Sequence, residues 1–119
     1  MNKQEAIERV SNNGWDLDEL SDELKKDRDV VLAATANEPG AIEYADESLR
    51  SDKDLVLPLM IEMPTLVQHV GDMLKKDKEF ILTILKESKS NMVNYALEHA
   101  DESLQSDPEL TAQAEANLG

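Results

Sequence analysis

The chain has 119 residues, no cysteine, and 26 acidic against 12 basic side chains, for a formal net charge of −14. The missing cysteine excludes disulfides, thiol catalysis and thiolate metal sites, and a field this negative repels nucleic acid and anionic membranes while it attracts basic surfaces. One domain with a modest core fits this length, and with Trp15, Tyr44, Phe80 and Tyr95 as its only aromatic residues that core has to be Leu, Ile, Val, Met and Ala.

From the N-terminus, MNKQEAIERV is polar and shows no apolar signal region. The longest apolar run, LVLPLMI at 55–61, is too short to cross a bilayer. A cytoplasmic protein, of a cell or of a virus that infects one, is expected. Leu24, Leu49, Leu74 and Leu104 then recur at spacings of 25, 25 and 30 residues, each followed three residues later by an aspartate: Asp27, Asp52, Asp77 and Asp107. A short, nearly gapless period marks one supersecondary unit copied and stacked. It sets units at 2–26, 27–51, 52–76 and 77–106, with a terminal half-unit at 107–119, all in a single domain 1–119. The fold expected is all-α: tandem helix pairs of about 25 residues stacked as a small α-solenoid of about nine short helices.

Within each unit the first helix opens on Asn2, Asp27, Asp52, Asp77 or Asp107, whose side-chain oxygens suit an N-cap. Asp29, Asp54, Glu79 and Glu109 follow at the positive end of the helix dipole, and Pro108 stands at a first helical position where its missing N–H costs nothing. Val30, Val31, Leu32 and Ala34, then Leu55, Val56, Leu57 and Leu59, then Phe80, Ile81, Leu82 and Ile84, form apolar runs wide enough to be buried on more than one face. Breaks follow at NNG 12–14, NEPG 37–40, EMP 62–64 and SKSN 88–91. The second helix turns Leu17 and Leu20, Ile42 and Ala45, Leu66, Val67 and Val70, and Ala96, Leu97 and Ala100 inward, and the repeat leucine sits in the connection that follows. Two irregularities remain. Pro58 removes a backbone bond inside the third unit's first helix, where a kink is expected, and the fourth unit carries five extra residues around 86–92.

The phrases LKKDRDVVLAAT, AIEYADESLRSDKDLVL and LKKDKEFIL resemble a bacterial family of short tandem α-helical repeats catalogued only as a domain of unknown function. Its pattern is Leu-Arg-x-Asp-Arg-Glu-Val-Val-Leu-x-Ala, an Asn-Gly-rich turn, then Ala-Leu-x-Tyr-Ala-Ser. The likeness is closest from Leu24 to Leu57, weakens from Pro58 to Met73, and returns from Leu74 to Leu85 and from Tyr95 to Leu110. It implies a helical repeat fold and brings no activity, cofactor or catalytic residue.

Chemistry is thin in this sequence. Asp27 with Asp29, Asp52 with Asp54, and Asp16, Asp18 and Glu19 have the spacing of cation ligands but run straight into apolar helix without a calcium-loop glycine, so capping accounts for them and no metal or cofactor is expected. His69 and His99 share one repeat slot with Glu19 and Tyr44, with no nucleophile or ligand set beside them; they read as surface histidines or as a pH-sensitive contact. Trp15 aligns with Gly40 and is either a staple of the first helix pair or an exposed binding anchor.

Charge is patterned. Lys25, Lys26, Arg28, Arg50, Lys53, Lys75, Lys76 and Lys78 flank the repeat aspartates, a stripe too short and diluted for direct nucleic-acid binding. Asp16, Asp18, Glu19, Asp22, Glu23, Glu43, Asp46, Glu47, Glu98, Asp101 and Glu102 gather on the second helix and its exit, where repetition sets them along another edge. The expected function is a non-catalytic acidic protein-binding module. It docks on a basic partner surface, including one that normally holds nucleic acid, as an inhibitor or nucleic-acid mimic of the anti-defence kind. The alternative is a structural or scaffold repeat whose charge serves solubility.

Overall fold

Each long helix begins directly after a capping side chain. In the computed structural model, which describes residues 1–118, Asn2 precedes α1 (Lys3–Asn12). Its side-chain oxygen accepts from the Glu5 N–H at 2.8 Å while the Glu5 carboxylate accepts from the Asn2 N–H, closing a capping box. A 3-10 segment, Gly14–Glu19, and a single turn, α2 (Asp22–Lys25), follow. The order then returns. Behind Asp27 come α3 (Arg28–Asn37), a 3-10 segment Pro39–Tyr44 and α4 (Glu47–Arg50). Behind Asp52 come α5 (Lys53–Glu62), a 3-10 segment Pro64–His69 and α6 (Asp72–Lys75). Behind Asp77 runs α7 (Lys78–Glu87), and then the pattern shifts: residues 88–94 form an irregular stretch, followed by α8 (Tyr95–Glu98) and a 3-10 turn at Glu102–Leu104. Asp107 caps α9 (Pro108–Leu118), accepting from the N–H groups of Glu109 and Leu110. No strand forms among the described residues, so the fold is all-helical.

The expected second helix is in fact two pieces, and the reason is local. Leu20, Ala45 and Val70 take extended backbone conformations between the 3-10 segment and the following turn. Their side chains are only 7, 4 and 2% exposed, so burial holds the break in place. Ser21 and Asp46 restart the helix as caps, accepting from the N–H groups of Leu24 and Ser48. The repeat leucines therefore lie inside these short turns rather than in a connection. Leu49, Leu74 and Leu104 are buried, and Leu24, in the first of the turns, is partly covered. Pro58 stands exposed on α5, which runs unbroken through it with the same ten residues as α1, α3 and α7. The extra residues of the fourth unit fall after α7 and leave that helix's length unchanged.

Two layers result. α1 packs along α3, α5 along α7 and α7 along α9, while the 3-10 segments lie against one another in chain order and α8 closes the row against Pro64–His69. Between α3 and α5 the link passes chiefly through α4 and the 3-10 layer. Val31, Met60, Phe80, Ile81 and Ile84 from the long helices meet Leu17, Ile42, Val67 and Ala96 from the other layer, all fully buried. Backbone bonds tie the short turns together: the N–H of Asp46 donates to Lys25 O at 3.1 Å, Gly71 to Arg50 O at 3.2 Å and Asp101 to Lys75 O at 2.9 Å. The molecule measures 49 × 24 × 18 Å.

Candidate functional site

The first helical position of each of the first four long helices is a cation, and a cation there sits beside the cap carboxylate of the next long helix. Lys3 Nζ lies 3.4 Å from Asp27 and 2.7 Å from Asp29. Arg28 pairs with Asp52. Lys53 is 3.5 Å from Asp77, and Lys78 is 3.1 Å from both Asp107 and Glu109. The repeat aspartate thus caps its own helix and anchors the one before it. Hydrogen bonding to Asp29 raises the Lys3 ammonium and lowers the Asp29 carboxyl in turn. Backbone N–H donation from Leu110, more than Lys78, holds Asp107 below the ordinary carboxylate range. Each such pair is exposed and screened by solvent, so it orients the helices more than it stabilises them. Arg50 is engaged differently, donating at 3.0 Å to the carbonyls of Ala45 and His69. Much of the expected basic stripe is therefore internal to the fold. Lys25, Lys26, Lys75 and Lys76 make no ion pair among the described residues.

The eleven acids of the predicted edge fall in two rows. Asp16, Asp18, Glu19, Glu43 and Glu98 lie in the 3-10 layer and α8; Asp22, Glu23, Asp46, Glu47, Asp101 and Glu102 lie at the starts of the short turns, where the helix dipole favours them. Five have structural partners. Asp16 and Glu19 flank Arg9 at 3.1 and 3.2 Å. Glu43 lies 3.4 Å from His69 Nε2. Asp46 accepts from the Ser48 hydroxyl at 2.7 Å and its N–H at 3.0 Å, and Asp101 accepts from the Ser103 N–H at 2.9 Å. These serine contacts hold both carboxyls below the ordinary range. The other six, Asp18, Asp22, Glu23, Glu47, Glu98 and Glu102, are exposed and in no ion pair among the described residues.

The same layer carries an aromatic row that the sequence reading did not assemble. Trp15 is 47% exposed and meets Tyr44 edge to face, with ring centroids 6.2 Å apart and planes at 78°. A Cβ on Gly40 would come within 2.6 Å of the outer carbon of the indole, Cη2. Trp15 therefore bridges to the second unit, and the absent side chain at position 40 is what makes room. The signal was a glycine in the repeat slot that tryptophan fills one unit earlier. His69 follows; burial lowers it below the ordinary imidazole value, against the opposing pull of Glu43. Tyr95, 41% exposed, stacks on His99 at 6.4 Å and 25°.

Beyond this face, the extra residues of the fourth unit and the end of α9 enclose a cavity of about 260 Å³, lined by Met92, Val93, Tyr95, Glu98, Asn117 and Leu118. No group of three His, Asp or Glu among the described residues could hold a metal ion. None of the described helices is long and apolar enough to cross a membrane. Residues 2–50, which span α1 to α4, match a family described as a domain of unknown function, DUF4116. No curated protein and no solved structure matches the chain.

Proposed function

We propose that the chain is a small α-solenoid of four helical units and a terminal half-unit, and that it works in the cytoplasm as a non-catalytic, acidic protein-binding module. The observation that carries this reading is the unequal engagement of charge. Lys3, Arg28, Lys53 and Lys78 are held against cap carboxylates of the neighbouring long helices, while six carboxylates of the 3-10 and short-turn edge make no ion pair among the described residues and outnumber the four unpaired lysines of the short turns, Lys25, Lys26, Lys75 and Lys76. These six carboxylates are part of the chain's net −14 and recur along one edge. A basic protein surface, including one shaped for the phosphates of a nucleic acid, is its complement; on this reading the module is an inhibitor or nucleic-acid mimic, and its charge disfavours direct binding to nucleic acid or anionic membrane. The scaffold reading keeps one observation in its favour: Asp16, Glu19, Asp46 and Asp101 serve the fold as ion pairs or caps.

The test uses only free carboxylates. Asp18, Glu47, Glu98 and Glu102 are reversed together to Lys, and wild type and variant are each presented to an extract of the source cell at low and high salt. Basic proteins retained by the wild type at low salt, released by salt and ignored by the variant support docking through this edge. Competition by duplex DNA for the retained protein supports mimicry. Equal retention by both proteins, insensitive to salt, rejects the proposal in favour of the scaffold.

A further inference from the structure

Three of the four aromatic side chains lie on the 3-10 face, Trp15 and Tyr95 nearly half exposed and Tyr44 more covered, and only Phe80 is fully inside. A Cβ at position 40 would approach the outer edge of the indole, nearest Cη2 and 3.4 Å from Cζ2 and Cζ3, so a glycine there leaves that edge of the ring room. Asp18, in no ion pair among the described residues, follows Trp15 by one turn of the 3-10 segment Gly14–Glu19, and Glu43 directly precedes Tyr44 in the segment Pro39–Tyr44. Two carboxylates thus share the segments that carry the ring pair.

We propose that Trp15 and Tyr44 form an anchor for an arginine side chain of an extended basic segment in a partner protein. This rests on the reading of the acidic edge as a docking surface and names what that surface selects. A guanidinium is planar, stacks on an aromatic face and forks two N–H donors toward a carboxylate; an ammonium is a hydrated point charge that does neither as well. The repulsive field of the chain removes nucleic acid as the occupant. The row is long enough for a segment rather than a single side chain. Tyr95 and Glu98 lie three units beyond Trp15 in a molecule 49 Å long.

The single tryptophan reports on its own site. A fluorescently labelled decapeptide of alternating arginine and serine and its lysine–serine counterpart are titrated into the wild type, and binding is followed by peptide polarisation and by Trp15 emission. Expected are a change in emission on saturation, weaker binding of the lysine peptide, and a five- to thirtyfold loss of arginine-peptide affinity, about 1–2 kcal/mol, in Trp15→Ala and Tyr44→Leu, with partial retention in Trp15→Phe. Circular dichroism confirms that each variant is folded, and the wild-type emission and lysine arms stand even where a variant is not. Unchanged emission, equal affinity for the two peptides, or a folded Trp15→Ala that binds like wild type overturns the anchor. If the four-carboxylate reversal still abolishes peptide binding in that case, the docking edge survives and only the anchor falls. If the wild type binds neither peptide at low salt, both fall.

Discussion

Removing one repeat leucine tests how the units are held together. Leu49, on α4, is 8% exposed and belongs to the continuous apolar core. Leu49→Ala removes about three buried carbons, worth about 0.8 kcal/mol each as transfer, or about 2.4 kcal/mol before any cavity contribution. The residual opening toward solvent limits the cavity, so a loss of 2–3 kcal/mol is expected, the lower part of the ~2–5 kcal/mol seen for such truncations. For 119 residues the unfolding entropy is about 0.25 kcal/mol per kelvin, which turns that loss into a fall in Tm of about 10 °C. Leu24 occupies the same repeat position but is only partly covered, so Leu24→Ala should cost about 1 kcal/mol. Urea unfolding followed by circular dichroism reads both. A Leu49→Ala loss under about 1 kcal/mol, or a Leu24→Ala loss that equals it, would show that repeat position rather than burial sets the contribution, and would refute the reasoning.

Asp52 separates capping from pairing: Asp52→Asn keeps an oxygen for the Leu55 N–H but loses the charge opposite Arg28, costing under about 1 kcal/mol, while Asp52→Ala loses both and costs 1–2 kcal/mol; equal losses in urea unfolding would remove the cap. Asp29, Asp46, Asp101 and Asp107 all lie below their reference value of 3.8 in the fold. Their contribution is therefore present above that value and lost as the pH falls through the lowered native values, so the Tm should drop steeply in acid; a flat profile there contradicts the assignment. His69, faced by Glu43, Arg50, Lys75 and His99, lies below its reference value of 6.5 in the fold, so the unfolded chain takes up its proton first and stability declines as the pH falls through 6.5. His69→Gln should flatten that part of the Tm–pH curve, and an unchanged slope excludes it. The reversal of Asp18, Glu47, Glu98 and Glu102 should leave the melting curve within a few degrees of wild type, since none of the four makes an ion pair among the described residues; a collapse of the fold would show that they support it.

The sequence by itself determined where the long helices start, because an N-cap is a local device: the oxygen of Asn2, Asp27, Asp52, Asp77 or Asp107 needs only N–H groups two or three residues on. It also determined most of what is buried: Val30, Val31, Leu55, Val56, Phe80 and Ile81 are inside, whereas Leu32, in the same apolar runs, is 42% exposed because its side of α3 is open to solvent. Tertiary structure decided the rest. The second helix of each unit broke in two because Leu20, Ala45 and Val70 are buried in extended conformations, a preference set by neighbours rather than by propensity. Part of the expected basic stripe became cross-unit pairs, because one helical step brings Arg28 beside Asp52 and Lys53 beside Asp77, across 24 residues of chain in each case. Trp15 met Gly40 and Tyr44 of the next unit for the same reason. Contacts between units depend on how the units pack, and no spacing within one unit encodes that.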